Sequence, residues 1–497
     1  MQFGLVESVR HWARYRRSSV ALVEDGVEIS YSELNDRVNR IASLILGGCV
    51  HGDRIAIALK SKGATIAALL AVLRVGRSAV LLHGGLPEEV LRTNLSDTQP
   101  SALICDRSYP YVDVMTAITG GPALNIEQEL QLPPIPTDDI LLPPTTSPDQ
   151  EWGIVFSSGT TGPPKAIERD HYSMITETLG WCLELELHRK TAFYVGRPVF
   201  YTGGLVLAIA TLTAGGCVVF DNYCIDESAD EVWNRFQTAA LERDLQWAFF
   251  VPDQIRNFTR TALSSPPRAR AENLLVMGAP ITGGEKVQAW RTLGSLIVES
   301  WGNSESLGTI TDAEDLTRRP NSIGRPFLTD ELCIVDEDGK ALQPGQVGRL
   351  AGSVEAGFIG YSNRPEETRL VRRHDLIISD DLGYVDEEGF FYVLGRSQQS
   401  LIVRGRSVVL PAIENKIRQL NFVRDCAVVA IVPSGEPILR AAICVTVDSP
   451  PEFELLDVIN RTLESSEALD KMVVLENLPR LPVGKVDRLK VEELVGD

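Results

Sequence analysis

The sequence predicts an α/β protein: a large N-terminal domain of layered β-sheets flanked by helices, followed by a small C-terminal α+β unit. Three observations carry this. Short apolar runs alternate with helical patterns, as in Arg54-Ile55-Ala56-Ile57-Ala58-Leu59, then TIAALLAVLRVG, then Ser78-Ala79-Val80-Leu81-Leu82, the rhythm of parallel strands joined by helical crossovers. At 497 residues the chain is too long for one ordinary domain, so at least two folding units are expected. Beyond Gly395 the pattern starts afresh. Leu401-Ile402-Val403 is followed by a helix near Ile413 to Leu420, strands at Ala427–Val432 and Ala441–Val447, and a helix over Leu455–Leu463, which is enough for a unit of about a hundred residues.

Taken in order, MQFGLVESVRHWARYRRSS at the N-terminus lacks the apolar core of a signal peptide and reads as an amphipathic surface helix, so a cytoplasmic protein is expected. From Tyr31, the residues Leu34, Val38, Ile41, Leu44 and Ile45 share one helical face, with Gly47-Gly48 as the stop, predicting a core-packed helix. The text LQLPPIPTDDILLPPTTSPDQ, from Leu130 to Gln150, is a proline-dense connector. The uncharged stretch Gly203 to Phe220 imitates a membrane span. Gly215-Gly216 interrupts it, and a helix end followed by the buried strand Cys217-Val218-Val219-Phe220 is the better reading, so no membrane partner is expected.

The apolar share of 44% and charged share of 23% belong to a fully folding globular chain. A net charge of -19 opposes attraction to a phosphate backbone, so no nucleic acid partner is expected. The 8 cysteines and 6 histidines make neither a C-x-x-C pair nor a metal-like cluster, and free thiols in a reducing compartment are the plain reading.

The apolar run Ile154-Val155-Phe156 leads into Ser157-Ser158-Gly159-Thr160-Thr161-Gly162-Pro163-Pro164-Lys165. Glycines let a backbone approach an anion closely, converging N–H groups and hydroxyls bind it, and Lys165 adds a positive charge. A plain surface turn is the alternative reading, and the spelling is not that of a Walker loop.

SSGTTGPPK closely resembles the signature loop of the adenylate-forming superfamily, which comprises acyl-CoA synthetases, adenylation domains and beetle luciferases. Further motifs follow in the family's order. Leu275-Val276-Met277-Gly278-Ala279-Pro280 is similar to the strand and G-A-P turn lying against adenine. Trp301-Gly302-Asn303-Ser304-Glu305 resembles Y-G-x-T-E, where the ring stacks on adenine, the hydroxyl faces phosphate and the glutamate holds magnesium. Ser379-Asp380-Asp381-Leu382-Gly383 stands where the family has T-G-D-L-G. Asp381 takes the position of the ribose-binding aspartate, and Asp380 replaces a glycine, adding bulk to a turn. Gly395-Arg396 and GRSVVLPAIE, from Gly405, resemble the start of the family's mobile lid, and LPRLPVGKVDR, from Leu478, resembles L-P-x-T-x-x-G-K-x-x-R.

The resemblance implies residues 1–396 as the adenylation domain, 397–399 as hinge and 400–497 as lid. It implies Lys485, Glu305 and Thr160 as catalytic residues, Glu305 as the Mg²⁺ ligand, and ATP with coenzyme A as co-substrates. Ser157 to Gly162, Lys165, Gly278 to Pro280, Trp301, Gly302, Ser304, Asp381 and Arg396 would hold the nucleotide. Tyr201, Thr202, Gly203, Gly278 and Gly302 would line the acid pocket. Gln398 replaces the usual charged hinge residue. Tyr201 replaces the histidine of many acyl-CoA synthetases and the aspartate of amino-acid enzymes. A phenol offers no counter-charge to an ammonium, so an aryl, alkyl or terpenoid-like carboxylic acid is expected rather than an α-amino acid. The implied reaction gives acyl-AMP and pyrophosphate, then the acyl-CoA thioester. A separate phosphopantetheinyl carrier protein or partner enzyme as acceptor is one alternative. A non-catalytic nucleotide-binding relative is another, against which the joint retention of Lys485, Glu305, Asp381 and Thr160 argues.

Overall fold

The computed structural model describes residues 4–48, 52–83, 86–106, 109–126, 147–157, 164–221, 229–305, 308–354, 357–373, 375–397, 400–404, 406–432, 437–480 and 486–496. The proline-dense connector lies outside them except for its last residues, 147–150.

The βαβ rhythm becomes two large sheets. In one, strands Glu151–Phe156, Ser78–Leu81, Arg54–Ala58, Ala102–Cys105 and Ala123–Asn125 run parallel, in that spatial order. Strands Ala166–Asp170 and Gly360–Tyr361 add antiparallel to the edge. In the other, a parallel core of Leu296–Gly302, Asn273–Val276, Trp247–Phe250, Ala192–Val195, Cys217–Phe220 and Val20–Glu24 is flanked by antiparallel strands at both edges.

Strand periodicity explains how these sheets stack. Ile55, Ile57, Leu81, Val155 and Ile167 of the first sheet share one buried cluster with Phe193, Val195, Val218, Phe220 and Val298 of the second. Their alternating neighbours Ala56, Ala58, Val80 and Leu103 face the opposite side, as a period of two demands. Filling the shared layer are the helices Lys62–Arg74 and Thr202–Thr213, buried along almost their whole length. Lacking a polar face, they are stable only between two apolar surfaces.

The span-like stretch resolves into the helix Thr202–Thr213 and the strand Cys217–Phe220, and no helix among the described residues is long and apolar enough to cross a membrane. Gly215 makes the break, with φ +82°, and a Cβ there would lie 2.7 Å from the Trp12 ring. That ring belongs to the amphipathic helix Leu5–Tyr15, whose Val6, Val9 and Ala13 are buried and whose Trp12 Nε1 donates to the Thr213 carbonyl at 3.0 Å. The helix is thus docked on the core. The helix Tyr31–Gly47 begins in a Ser30–Glu33 capping box and buries Leu34, Val38, Ile41 and Ile45.

A third sheet is built on Leu332–Val335, Gly348–Ser353, Leu376–Val385 and Phe391–Arg396. Beyond it come the hairpin Ser400–Val403 with Arg406–Val409, the helix Leu410–Arg418, and a sheet of Val423–Ile431, Ile438–Val445 and Lys471–Val474. The helix Glu452–Asn460 completes the expected order. These residues have their own buried clusters, around Ile413, Val428 and Ile443 and around Val429, Cys444 and Val491. Gly395, at φ +147°, is where this unit meets the third sheet: a Cβ would lie 2.7 Å from Val409 and 2.8 Å from Pro411.

A buried ion pair anchors the strand Leu296–Gly302. Lys286 Nζ, on the helix Gly283–Leu293, contacts Glu299 at 2.6 Å and the Ser322 carbonyl at 3.0 Å. Burial pushes the Glu299 carboxyl up, and Lys286 opposes it. Lys286→Met is expected to cost about 3–5 kcal/mol by stranding a buried carboxylate. Adding Glu299→Leu should recover most of that loss, both read from urea denaturation midpoints.

Candidate active site

The motifs singled out in the sequence follow the carboxyl ends of parallel strands, the rim where open α/β sheets gather ligands. Ser157 follows Glu151–Phe156, Tyr201 lies beyond Ala192–Val195, Gly278 follows Asn273–Val276, and Ser304 and Glu305 follow Leu296–Gly302.

The ends of the Ser/Thr/Gly loop are tied together. Ser157 N donates to the Lys165 carbonyl at 3.0 Å, and Lys165 N donates to Ser157 Oγ at 2.9 Å. The loop residues Ser158, Gly159, Thr160, Thr161 and Gly162 lie outside the described residues. Lys165 Nζ sits 2.8 Å from Glu367 and 4.6 Å above the Tyr361 ring. The Tyr361 hydroxyl donates to Glu305 Oε1 at 2.6 Å. Sequence reasoning missed Tyr361 and Glu367. The available signal was Asn363-Arg364-Pro365-Glu366-Glu367, which opens the helix Pro365–Val371 with proline and two acids in its first turn.

Trp301, Asp381 and Arg396 come together from three strands. The Trp301 side chain faces the Asp381 carboxylate, and Arg396 Nε lies 3.6 Å from it. Burial pushes the Asp381 carboxyl up, while Arg396 and the Trp301 side chain pull it down. The expected turn around Asp380 is instead the middle of the strand Leu376–Val385. Asp380 leans outward to Arg349 at 2.9 Å, so its side chain crowds nothing. Strand pairing of Asp381 with Arg396 is what sets the geometry here.

Gly278 adopts φ +96°, which only glycine takes without strain, and Gly278, Ala279 and Pro280 are exposed. Beside them, a Cβ on Gly203 would lie 3.0 Å from Met277 Cε and 3.4 Å from Phe249. Tyr201 precedes the helix Thr202–Thr213, with its ring 4.9 Å from Phe200 and 5.7 Å from His83. His83, which the sequence did not single out, packs 4.1 Å from Phe200, and burial pushes its pKa down, leaving a neutral imidazole at pH 7. Thr202 Oγ1 donates to Ser304 Oγ at 3.1 Å, joining the acid-pocket segment to the Trp301–Glu305 segment. Gly302 pairs with Gly308 in the antiparallel ladder.

Gln398 and Lys485 lie outside the described residues. The flanks of Lys485 are placed, however: Arg480 and Val486 form a bridge, and Asp487 N donates to the Pro479 carbonyl at 2.9 Å. Arg480 reaches Asp253 of the helix Pro252–Ser264 at 3.0 Å and Asp425 at 2.7 Å. This ion triad ties the C-terminal unit to the rim of the second sheet. Among the described residues, no three His, Cys, Asp or Glu side chains gather into a metal cage. Glu305 supplies one hard carboxylate, the donor set Mg²⁺ uses when substrate phosphates and water complete its shell.

Residues 9–361 match the sequence profile of the AMP-binding enzyme family. The 2-succinylbenzoate--CoA ligase of Bacillus cereus is 24% identical, with 99% of each chain covered. The feruloyl-CoA synthase of Amycolatopsis sp is 24% identical over 97% of each. ATP-bound MatB from Rhodopseudomonas palustris superposes with TM-score 0.86 at 21% identity, covering 100% of this chain and 99% of that one. O-succinylbenzoate coenzyme A synthetase of Bacillus subtilis, in complex with an acyl-adenylate intermediate, gives 0.82 at 20% identity over 97% of each. These two likenesses establish the fold, including its large and small parts.

Asp253→Asn removes one charge from the Arg480 triad while Arg256 keeps its pairing with Glu285. Limited trypsin digestion is expected to cleave after Arg480 and Lys485 about two- to fivefold faster, the scale of one exposed ion pair.

Proposed function

This chain belongs to the AMP-binding enzyme family, and on that premise we propose that it is an AMP-forming acyl-CoA synthetase acting on a non-α-amino carboxylic acid. The observation that carries the reading is the convergence of Lys165, Trp301, Ser304, Glu305, Asp381 and Arg396 on one rim.

In the first half-reaction the acid's carboxylate oxygen attacks the α-phosphorus of ATP. The P–O bond to pyrophosphate breaks, and acyl-AMP forms. Negative charge builds on the attacking and phosphate oxygens, so cations fixed beforehand lower the barrier. Lys165, together with Ser157 to Gly162, grips the triphosphate, and Lys485 meets the carboxylate and α-phosphate. Trp301 and the turn Gly278 to Pro280 enclose the adenine. Asp381, steadied by Trp301 and Arg396, accepts from the ribose hydroxyls. Mg²⁺ held by Glu305 would neutralise phosphate charge. In the second half-reaction the coenzyme A thiol attacks the acyl carbon, its proton is lost, and AMP leaves with the electrons of the broken anhydride bond.

Residues 1–396 form the adenylation domain, 397–399 the hinge and 400–497 the lid. The separate buried clusters and the close approach at Gly395 support this division. The Arg480 triad brings the Lys485 flanks to the rim, which supports an adenylation-competent lid orientation. Dependence on ATP and coenzyme A supports a cytoplasmic location. A separate phosphopantetheinyl carrier bears the same thiol chemistry as coenzyme A, and the relatives' names favour the free coenzyme.

Aromatic side chains gather at the acid-binding segment, where Tyr201, Phe200 and His83 pack together. The Tyr201 phenol offers an ammonium no counter-charge. The aromatic acids in the names of the two ligase relatives support an aryl acid.

Acid-dependent ATP–pyrophosphate exchange over a panel of acids, followed by mass spectrometry with coenzyme A and a carrier protein, tests the reading. Exchange with aryl acids and an acyl-CoA product are expected, whereas no exchange with any acid rejects it. Lys485→Ala should lower the exchange rate by about 10²–10³-fold. Tyr201→Phe should alter the ranking of acids, and an unchanged ranking removes Tyr201 from the pocket.

A further inference from the structure

One side chain stands between the two oppositely charged groups of the nucleotide site. Tyr361 is 6% exposed and fixed by its surroundings. Its strand pairs with Ala166–Asp170, its N–H donates to Thr368 Oγ1 at 2.9 Å, and its ring packs 5.0 Å from Phe358. The face of the ring carries the Lys165 ammonium at 4.6 Å, and its hydroxyl donates to Glu305 at 2.6 Å. An aromatic face attracts a cation, while a phenol O–H is a donor suited to a carboxylate. Tyr361 thus satisfies both charges at once. In doing so it removes the electrostatic reason for Lys165 and Glu305 to pair with each other. A direct pair would disable both, because phosphate needs the ammonium and the metal needs the carboxylate.

Lys165 has a counter-ion all the same. Glu367 lies 2.8 Å away, at the start of the helix Pro365–Val371, and the two side chains are 37% and 38% exposed. Hydrogen bonding from Lys165 holds the Glu367 carboxyl below the usual carboxylate range, with burial opposing. A pair so exposed is weak and easily exchanged. Arg364 also lies 3.4 Å from Glu367 and remains as its partner when Lys165 leaves.

We propose that Tyr361 is a positioning residue that keeps Lys165 and Glu305 apart and aimed, and that Glu367 is the resident anion which a nucleotide phosphate displaces from Lys165. The proposal rests on the adenylate-forming reading of the site. It assigns work to two residues outside the motifs already described.

The test uses the full-length chain and calorimetric binding of ATP, once with EDTA and once across a Mg²⁺ series. Glu367→Gln removes the competing anion, so ATP affinity in EDTA should rise about threefold, the scale of one exposed ion pair. Tyr361→Phe keeps the ring on Lys165 and on Phe358 but frees Glu305. Freed Glu305 can then compete with phosphate for Lys165, so affinity in EDTA should fall by up to about threefold, while the Mg²⁺ concentration for half-maximal enhancement rises about tenfold, as for a lost hydrogen bond to a charged group. Unchanged or weaker ATP binding by Glu367→Gln overturns the displacement, and an unshifted Mg²⁺ dependence in Tyr361→Phe overturns the positioning role. A wild-type chain that binds ATP under neither condition rejects the adenylate-forming reading itself, and the inference with it.

Discussion

The architecture depends on two helices that have no wettable face. Lys62–Arg74 and Thr202–Thr213 are stable only when apolar surface covers them on both sides, and the two large sheets supply that cover. Once the sheets are clamped around this layer, the carboxyl ends of their parallel strands are held in fixed relation. Residues far apart in the chain then meet at a common rim: Thr202 with Ser304, and Lys165 with Glu305 through Tyr361. Burial of apolar helices is therefore the first cause of the polar site.

The polar residues are held by partners as much as by backbone position. Glu299 beneath the site has Lys286, Asp381 has Trp301 and Arg396, and Lys165 has Glu367. Each charge is satisfied before any ligand arrives, and the pairs differ in how firmly. The Lys286 pair is fully buried and structural, whereas the Lys165 pair is open to solvent and exchangeable. Exposure grades these contacts by their ability to yield.

Much of this was legible in the sequence. Period-two and period-3.6 patterning located the parallel strands, the capped helix from Tyr31 and the C-terminal restart, because core burial enforces those periods. The double glycine at 215 correctly divided an apolar stretch into helix and strand. The family motifs singled out Trp301, Asp381 and Arg396, which three separate strands bring together. Glu367 had a local signal in the proline and acids that open its helix, but Tyr361, His83 and the Asp253–Arg480 contact were not legible, because each matters only through a partner distant in the chain. The misreading of Asp380 has the same origin: a motif resemblance suggested a turn, while ladder pairing with Arg349 and Arg396 neighbours made a strand.

Gly395 gives the junction between the two parts an unusual mechanical character. With the Cβ position 2.7 Å from Val409 and 2.8 Å from Pro411, the C-terminal unit rests on bare backbone with no room for even a methyl shim. The contact surface between the two parts is therefore main chain on one side and side chain on the other, and any substitution at Gly395 would act as a wedge that moves Val409 and Pro411.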